Sequence, residues 1–173
     1  MKKRIKIALA ILGFAMAVSC FGQTDKMKLQ VDSLKYVKGD VYDCSSLTWK
    51  IVEYKKDVIQ LLIDKLDDTT ATQATYVCKK TNLCVGDLAY LSLGEILALP
   101  FFAVTGMQLD VIDTNGCDQG KFEYIEANRK RFKQQIQTYY NTNKTRMKWM
   151  DTTIFMMPCQ EENKEYGHYY VPE

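Results

Sequence analysis

The chain has 173 residues, of which 47% are hydrophobic and 25% charged, with a net charge of +2. This balance is typical of a globular domain and excludes an intrinsically disordered chain, while nine Gly and three Pro exclude collagen-like and low-complexity proteins. The single histidine, His168, leaves little scope for imidazole-based metal binding or acid–base catalysis.

Residues 1–22 have the pattern of a secretory signal peptide. Four basic residues within positions 2–6 precede an apolar run over positions 7–18. That run is too short for a transmembrane helix of about 20 residues. Cleavage after Gly22 would leave residues 23–173 as a single mature domain. We therefore expect an exported protein, periplasmic or secreted, with no transmembrane span in its mature chain.

Lipoprotein processing is the alternative interpretation of the same segment. Ala17-Val18-Ser19-Cys20 loosely resembles a lipobox, although Ala17 stands where Leu is usual. Processing at this point would make Cys20 the acylated first residue and would anchor the protein to a membrane surface.

The first part of the mature chain predicts one clear helix. Residues 24–43 leave two alternatives open. Apolar and polar side chains alternate over residues 27–32, which favours a strand, while Met27, Val31 and Leu34 also share a helix face. Residues 47–66 place apolar side chains three or four positions apart, which predicts one amphipathic helix with a single face on the core.

The cysteines of an exported chain are expected to form disulfides. Cys78 and Cys84 bracket a five-residue loop in the polar connection that follows the first helix, and we expect them to pair. Cys44, Cys117 and Cys159 remain, and at most two of them can pair, so one thiol is left over. The spacing of Cys78 and Cys84 is not the C-x₂-C pattern of zinc sites, and we expect neither a metal nor a cofactor.

A second helix is expected over residues 87–97, ending before Pro100. Asp87 can cap its first turn, because a carboxylate accepts hydrogen bonds from free amides and favours the positive end of the helix dipole. The helix is apolar on most sides, which predicts a central, buried position. Small residues that would allow close approach to another element are Gly86, Ala89, Ser92 and Gly94.

Leu66-Asp67-Asp68 is followed, after a polar connection, by Ala89 and by Leu93-Gly94-Glu95-Ile96. In this pattern, residues 58–96 resemble a single HEAT-like helical hairpin. The resemblance implies an antiparallel pair of helices and, because HEAT-like proteins act as scaffolds or binding surfaces, a binding role. The connection is longer than an ordinary turn, and the sequence shows no second copy at a period of about 40–47 residues.

Two further helices are expected before the tail. Pro100 can open a helix, although Thr105-Gly106 weakens that prediction. Asn115-Gly116 indicates a turn. A long helix is then predicted over residues 121–139, with an apolar stripe of Phe122, Ile125, Phe132, Ile136 and Tyr139.

Charge is segregated along the mature chain. Residues 23–173 contain 19 basic and 21 acidic residues, a net charge of −2, yet the segment 121–148 alone is +6 and the remainder is −8. Two interpretations are open: an ordinary solvated helix with a dipolar charge distribution, or a basic surface for an acidic protein face or an anionic glycan. Export argues against nucleic acid. The proposed members of the basic surface are Lys121, Arg129, Lys130, Arg131 and Lys133.

The sequence offers no convincing catalytic set. Asp87 and Glu95 would lie about 12 Å apart along one helix. The carboxylates of glycosidases are usually about 5–9.5 Å apart. A nucleophilic Cys or Ser would lack a base, because His168 stands alone in a Tyr-rich tail. We therefore assign no catalytic residue.

These observations predict a mainly α, compact single domain of about four helices with a disulfide-tied loop. The expected function is that of an exported, non-enzymatic protein-interaction module of the cell envelope, such as an inhibitor or immunity-type factor. The alternative is a small cell-envelope hydrolase that uses carboxylate or Cys chemistry.

Overall fold

Helix predominates in the part of the chain that the structure describes. The computed structural model describes residues 24–109, 111–151 and 167–172. Its helices are α1 (residues 24–32), α2 (Leu47–Val52), α3 (Ile59–Lys65), α4 (Val85–Ile96), α5 (Phe101–Thr105) and α6 (Lys121–Asn143). Its strands are β1 (Lys38–Asp40), β2 (Gln73–Thr75), β3 (Lys148–Asp151) and β4 (Gly167–Tyr170). The described residues form six α-helices where about four were expected, and four short strands that were not predicted are also present, so the mainly α prediction holds in part.

The predicted signal peptide, residues 1–22, lies outside the described residues, as do Cys20 and Cys159. Within the described ranges, each helix is too short or too polar to cross a bilayer.

The N-terminal segment takes the helical alternative. Residues 24–32 form α1, and Met27, Val31 and Leu34 are all buried, the last of them in a 3₁₀ turn over Ser33–Tyr36. The chain then extends into β1, which pairs in parallel with β2. This pairing brings the N-terminal segment against the connection between α3 and α4.

The single helix predicted over residues 47–66 is wrong, because the chain breaks in its middle. Lys55 has a φ of 51°, the left-handed region that side chains other than Gly rarely adopt. A 3₁₀ turn over Lys55–Val58 separates α2 from α3. The apolar positions are nevertheless the expected ones, and the break lets α2 and α3 each pack against α4.

Helix α4 is the central, buried helix, as expected. Leu88, Ala89 and Leu93 have no exposed surface, and α2, α3 and β4 all contact the helix. A Cβ atom on Gly86 would lie 2.5 Å from the carbonyl oxygen of Leu66, so close approach requires Gly there. A Cβ atom on Gly94 would have no atom within 4 Å, so Gly94 does not serve the close approach to another element that was expected of it.

The region that resembles a HEAT-like hairpin contains two packed helices, α3 and α4. The chain between them, however, includes β2 and the loop that carries Cys78, which an ordinary hairpin turn does not contain. The packing of neighbouring helices agrees with the resemblance, and the connection departs from it.

Helix α6 runs to Asn143, beyond the predicted end. Four residues of its expected stripe are buried, namely Phe122, Ile125, Phe132 and Ile136, while Tyr139 is half-buried. The helix packs against α3 and α5. Asn128 has non-helical dihedral angles (φ −128°, ψ 20°), and its side-chain Nδ2 donates a hydrogen bond of 2.9 Å to the carbonyl of Tyr124. The helix is therefore kinked near its middle.

The tail contributes one strand to the described fold. β3 and β4 pair antiparallel, with Met150 opposite His168. Ala98, just after α4, donates its backbone N–H to the carbonyl of Tyr169 at 2.9 Å. The strand pair is thereby joined to the end of the central helix.

Candidate functional site

A disulfide joins two loops that are far apart in sequence. Cys78 bonds to Cys117, with Cα atoms 5.3 Å apart and 39 positions between them. The predicted Cys78–Cys84 pair is therefore wrong. Cys84 is drawn into the core because it begins α4 as the N-cap residue, and its backbone N–H donates to Asp87 Oδ2 at 3.0 Å. The Asp87 carboxylate therefore caps α4 as expected, but it does so from the third helical position in a capping box, because Cys84 is the N-cap residue.

Cys84 is the free thiol among the described cysteines. Cys44 is also in a disulfide. Burial raises the pKa of the Cys84 thiol, so it stays protonated near neutral pH and is a poor nucleophile. The sequence predicted that one cysteine would stay unpaired. Among the described cysteines that residue is Cys84, which had been predicted to pair with Cys78.

The disulfide holds together two segments that we call the paired loops, residues 77–83 and 111–120. The second of them is ordered by its own turn, in which Asp113 Oδ1 accepts hydrogen bonds from the backbone N–H groups of Asn115 and Cys117. Gly116 has a φ of 80°, in agreement with the predicted turn. A cleft of about 760 Å³ lies between the paired loops and the start of α6.

Apolar side chains are exposed on the paired loops. Val77, Val111 and Ile112 are 67%, 54% and 66% exposed. Val77 precedes Cys78 in the chain, and Ile112 pairs with Asp118, the residue after Cys117. All three therefore lie close to the disulfide. Exposed apolar side chains on two covalently joined loops are candidates for an interaction surface.

The charged side chains that line the cleft are mostly acidic. Two basic and four acidic residues give the lining a net charge of −2. They are Lys79, Lys80, Asp113, Asp118, Glu123 and Glu126.

A buried ion-pair network supports one wall of the cleft. Asp87 has no exposed surface and accepts from Lys79 Nζ at 2.5 Å and from Arg129 Nη2 at 2.8 Å. Burial alone would raise the pKa of Asp87, but the hydrogen bonds from Lys79, Cys84 and Arg129 hold it below its usual value. The carboxylate is therefore ionised at neutral pH.

Lys79 links this network to the cleft. Its ammonium also pairs with Glu126 Oε1 at 2.6 Å and lies 5.7 Å from the ring centroid of Phe122, and both residues line the cleft. Burial would lower the pKa of Lys79, but its pairs with Asp87 and Glu126 raise it. The network thus fixes the loop that carries Cys78 to both α4 and α6.

The five residues of the predicted basic surface have different environments. Arg129 belongs to the buried network, Lys133 pairs with Asp67 at 2.7 Å, and Lys121 pairs with Asp118. Lys130 and Arg131 are exposed and have no ion-pair partner among the described residues. The structure therefore does not bring all five together as free charges, and no finding tests the binding role that the sequence suggested for Lys130 and Arg131.

Glu95 does not join Asp87. It lines a pit, with room for about one water molecule, together with Tyr42, Thr48, Trp49 and Ser92. Burial raises the pKa of Glu95 to about 7. The hydroxyl of Ser92, three residues earlier on α4, is buried without a hydrogen-bond partner.

Sequence reasoning missed Lys79, Glu126 and Cys117 as neighbours in one site. Their separations along the chain follow no local periodicity, so no pattern links them. The described residues contain no cluster of three or more potential metal-ligating side chains. Comparison of the chain with family models, with curated proteins and with solved structures finds no match.

Proposed function

We propose that the protein is an exported protein-binding module of the cell envelope and that it engages its partner through the paired loops. The observation that carries this proposal is the exposure of Val77, Val111 and Ile112 beside the Cys78–Cys117 disulfide. Apolar side chains held in a fixed position lose little conformational entropy on binding, and their burial by a partner is favourable.

The cleft beside these side chains suggests the chemistry of the partner. The lining charges outside the ion pairs are Asp113, Glu123 and Lys80, and their net charge of −1 favours a basic segment on the partner. The apolar side chains on the paired loops favour neighbouring apolar residues. This differs from the surface expected from sequence, which was basic. An inhibitor or immunity-type role fits the proposal, because a rigid loop pair can occupy a cleft or cover a surface of another protein.

A pull-down from periplasmic extract tests the proposal. The bait variants are Val77→Asp/Ile112→Asp, which places charge on the paired loops, and Lys130→Glu/Arg131→Glu, which reverses the two free basic residues. We expect the loop variant to lose the partner and the basic-residue variant to retain it. Circular dichroism melts of both variants check that they are folded. Full recovery of the partner by the folded loop variant would contradict the proposal.

One observation favours a hydrolase as the second candidate function. Glu95, with a pKa of about 7, lies beside the unpartnered hydroxyl of Ser92 in a pit of water size, and general acids often have such a raised pKa. Purified cell-wall glycan and casein are suitable substrates for wild type and Glu95→Gln. Turnover by wild type that Glu95→Gln abolishes would support this candidate, and no turnover by wild type would count against it.

A further inference from the structure

A second pocket lies where three distant parts of the chain meet. The 3₁₀ turn Lys55–Val58, the end of α6 and strand β4 surround a volume of about 310 Å³. This volume is at the lower end of the range for small-molecule sites. The polar and aromatic residues that line it are Lys56, Asp57, Tyr140, Lys144 and Tyr169, and we call it the tyrosine–lysine pocket.

The two lysines of this pocket are available to an anion. Lys56 and Lys144 are exposed, and no carboxylate of the described residues lies within 4 Å of either ammonium. Arg129 and Lys133, in contrast, are held by internal carboxylates. Asp57 is the one acidic side chain among those that line the pocket.

The two tyrosines present aromatic surface that is held in place. The ring of Tyr169 packs edge-on against Trp149, with centroids 4.9 Å apart, and Lys55 Nζ lies 4.6 Å from the Trp149 ring centroid. Lys144 Nζ lies 5.9 Å from the ring centroid of Tyr140. Both tyrosines are half-buried, so their ring surfaces are restricted in orientation while the pocket remains open to solvent.

Backbone strain coincides with this pocket. Lys55 is the single residue other than Gly with a positive φ in the described part of the chain. Such strain persists where surrounding structure determines the conformation, and it is frequent at binding sites. The strained residue directly precedes Lys56 and Asp57, and its conformation sets the direction in which the turn presents them.

We propose that the tyrosine–lysine pocket binds a carboxylate-bearing sugar residue of an anionic glycan. Tyr140 and Tyr169 stack against the C–H groups of the sugar ring, which meet the electron-rich aromatic faces. Lys56 and Lys144 pair with the sugar carboxylate, and Asp57 accepts hydrogen bonds from sugar hydroxyl groups. This site is separate from the paired loops and does not depend on their proposed function.

Isothermal titration calorimetry at about 0.15 M salt, where the Debye length is about 8 Å, tests this site in protein purified after export. The ligands are tetragalacturonate, the neutral tetrasaccharide maltotetraose and inorganic phosphate. We expect tetragalacturonate to bind and the other two ligands to bind at least tenfold more weakly. Because the stacking faces and the charges act together, Tyr140→Leu and Lys56→Gln/Lys144→Gln are each expected to weaken tetragalacturonate binding at least tenfold.

Lys130→Gln/Arg131→Gln is the matched control, since it removes the same charge from exposed residues that do not line the pocket. It is expected to leave tetragalacturonate binding within about twofold, because long-range charge alone contributes little beyond the Debye length. The proposal is overturned if tetragalacturonate does not bind, if maltotetraose or phosphate binds as tightly, or if the control weakens binding as much as Lys56→Gln/Lys144→Gln. Melting curves of each variant verify that it is folded.

Discussion

Asp87 Oδ1 accepts a hydrogen bond of 2.8 Å from Arg129 Nη2, although the two residues are 42 positions apart. The pair joins the first turn of α4 to the middle of α6, and both side chains are largely buried. Arg129 thereby contributes to the interior of the protein, where the sequence predicted a surface charge. The same carboxylate holds Lys79, so this contact also supports the wall of the cleft between the paired loops.

Substitution of Asp87 is expected to destabilise the fold strongly. Asp87→Asn leaves Arg129 without its counter-charge in a buried site and leaves Lys79 with Glu126 alone. Breaking a buried ion pair in this way typically costs about 3–5 kcal/mol in the free energy of unfolding. Asp67→Asn is the matched control, because the Asp67–Lys133 pair is about a third exposed and contributes at most about 1 kcal/mol. Urea unfolding of both variants measures the difference, and equal losses would show that the buried network contributes no more than a surface pair.

Two glycines of α4 are expected to respond in opposite directions. In Gly86→Ala the new methyl group lies 2.5 Å from the Leu66 carbonyl oxygen, and overpacking of this kind costs roughly 1–3 kcal/mol. In Gly94→Ala the new methyl group meets open space. The higher helix propensity of Ala then increases the free energy of unfolding by at most about 1 kcal/mol. Thermal melts compare the two variants, and a stabilised Gly86→Ala variant would contradict the close approach of α4 to the end of α3.

The stability of the protein is expected to depend on Glu95 between about pH 4.5 and 7. Burial raises the pKa of Glu95 from 4.5 to about 7, so the folded state holds the proton more tightly than the unfolded state in this window. The contribution of the protonated Glu95 to the free energy of unfolding is therefore fully present below pH 4.5 and is lost as the pH rises through 7. Glu95→Gln should be more stable than wild type by roughly 2–3 kcal/mol at pH 8, and about equally stable at pH 4.

Denaturant unfolding at both pH values measures this dependence. Gln is a suitable replacement because it keeps the size and polarity of the protonated acid. A stability difference that is the same at pH 4 and pH 8 would show that Glu95 does not titrate in this window.

Peptide mapping without reduction is expected to join Cys78 to Cys117. Combined digestion with trypsin and Asp-N separates the three relevant cysteines into residues 68–79, 81–86 and 113–117. The first and third of these peptides should appear as one disulfide-linked species. Because Cys84 is buried, it should react with iodoacetamide only after unfolding. A species that links residues 68–79 to 81–86 would contradict the assigned pairing.

The buried faces of the main helices were predictable from the sequence. The stripes of α4 and α6 follow helical periodicity, which depends on residues within a few turns of each other, and Phe132 and Leu93 are fully buried as expected. The same periodicity continues through Lys55, so it gave no indication of the break between α2 and α3. A left-handed residue interrupts the helix without interrupting the apolar pattern.

The site was less predictable because its residues meet through long-range contacts. The short loop between Cys78 and Cys84 favoured a local disulfide, yet the burial of Cys84 at the start of α4 leaves Cys78 to pair with Cys117. Counting charges over residues 121–148 marked Arg129 as basic surface, but its partner lies on a different helix. Sequence separation and local charge therefore do not identify Cys117 as the partner of Cys78 or Asp87 as the partner of Arg129.

Photocrosslinking in cells tests the proposed binding surface most directly. A benzophenone amino acid replaces Ile112, which is exposed on the paired loops, or Thr138, which is exposed on α6. Binding through the paired loops predicts a discrete, light-dependent protein adduct from position 112 and none from position 138. An adduct from position 138 alone, equal adducts from both positions, or none from position 112 would contradict the account.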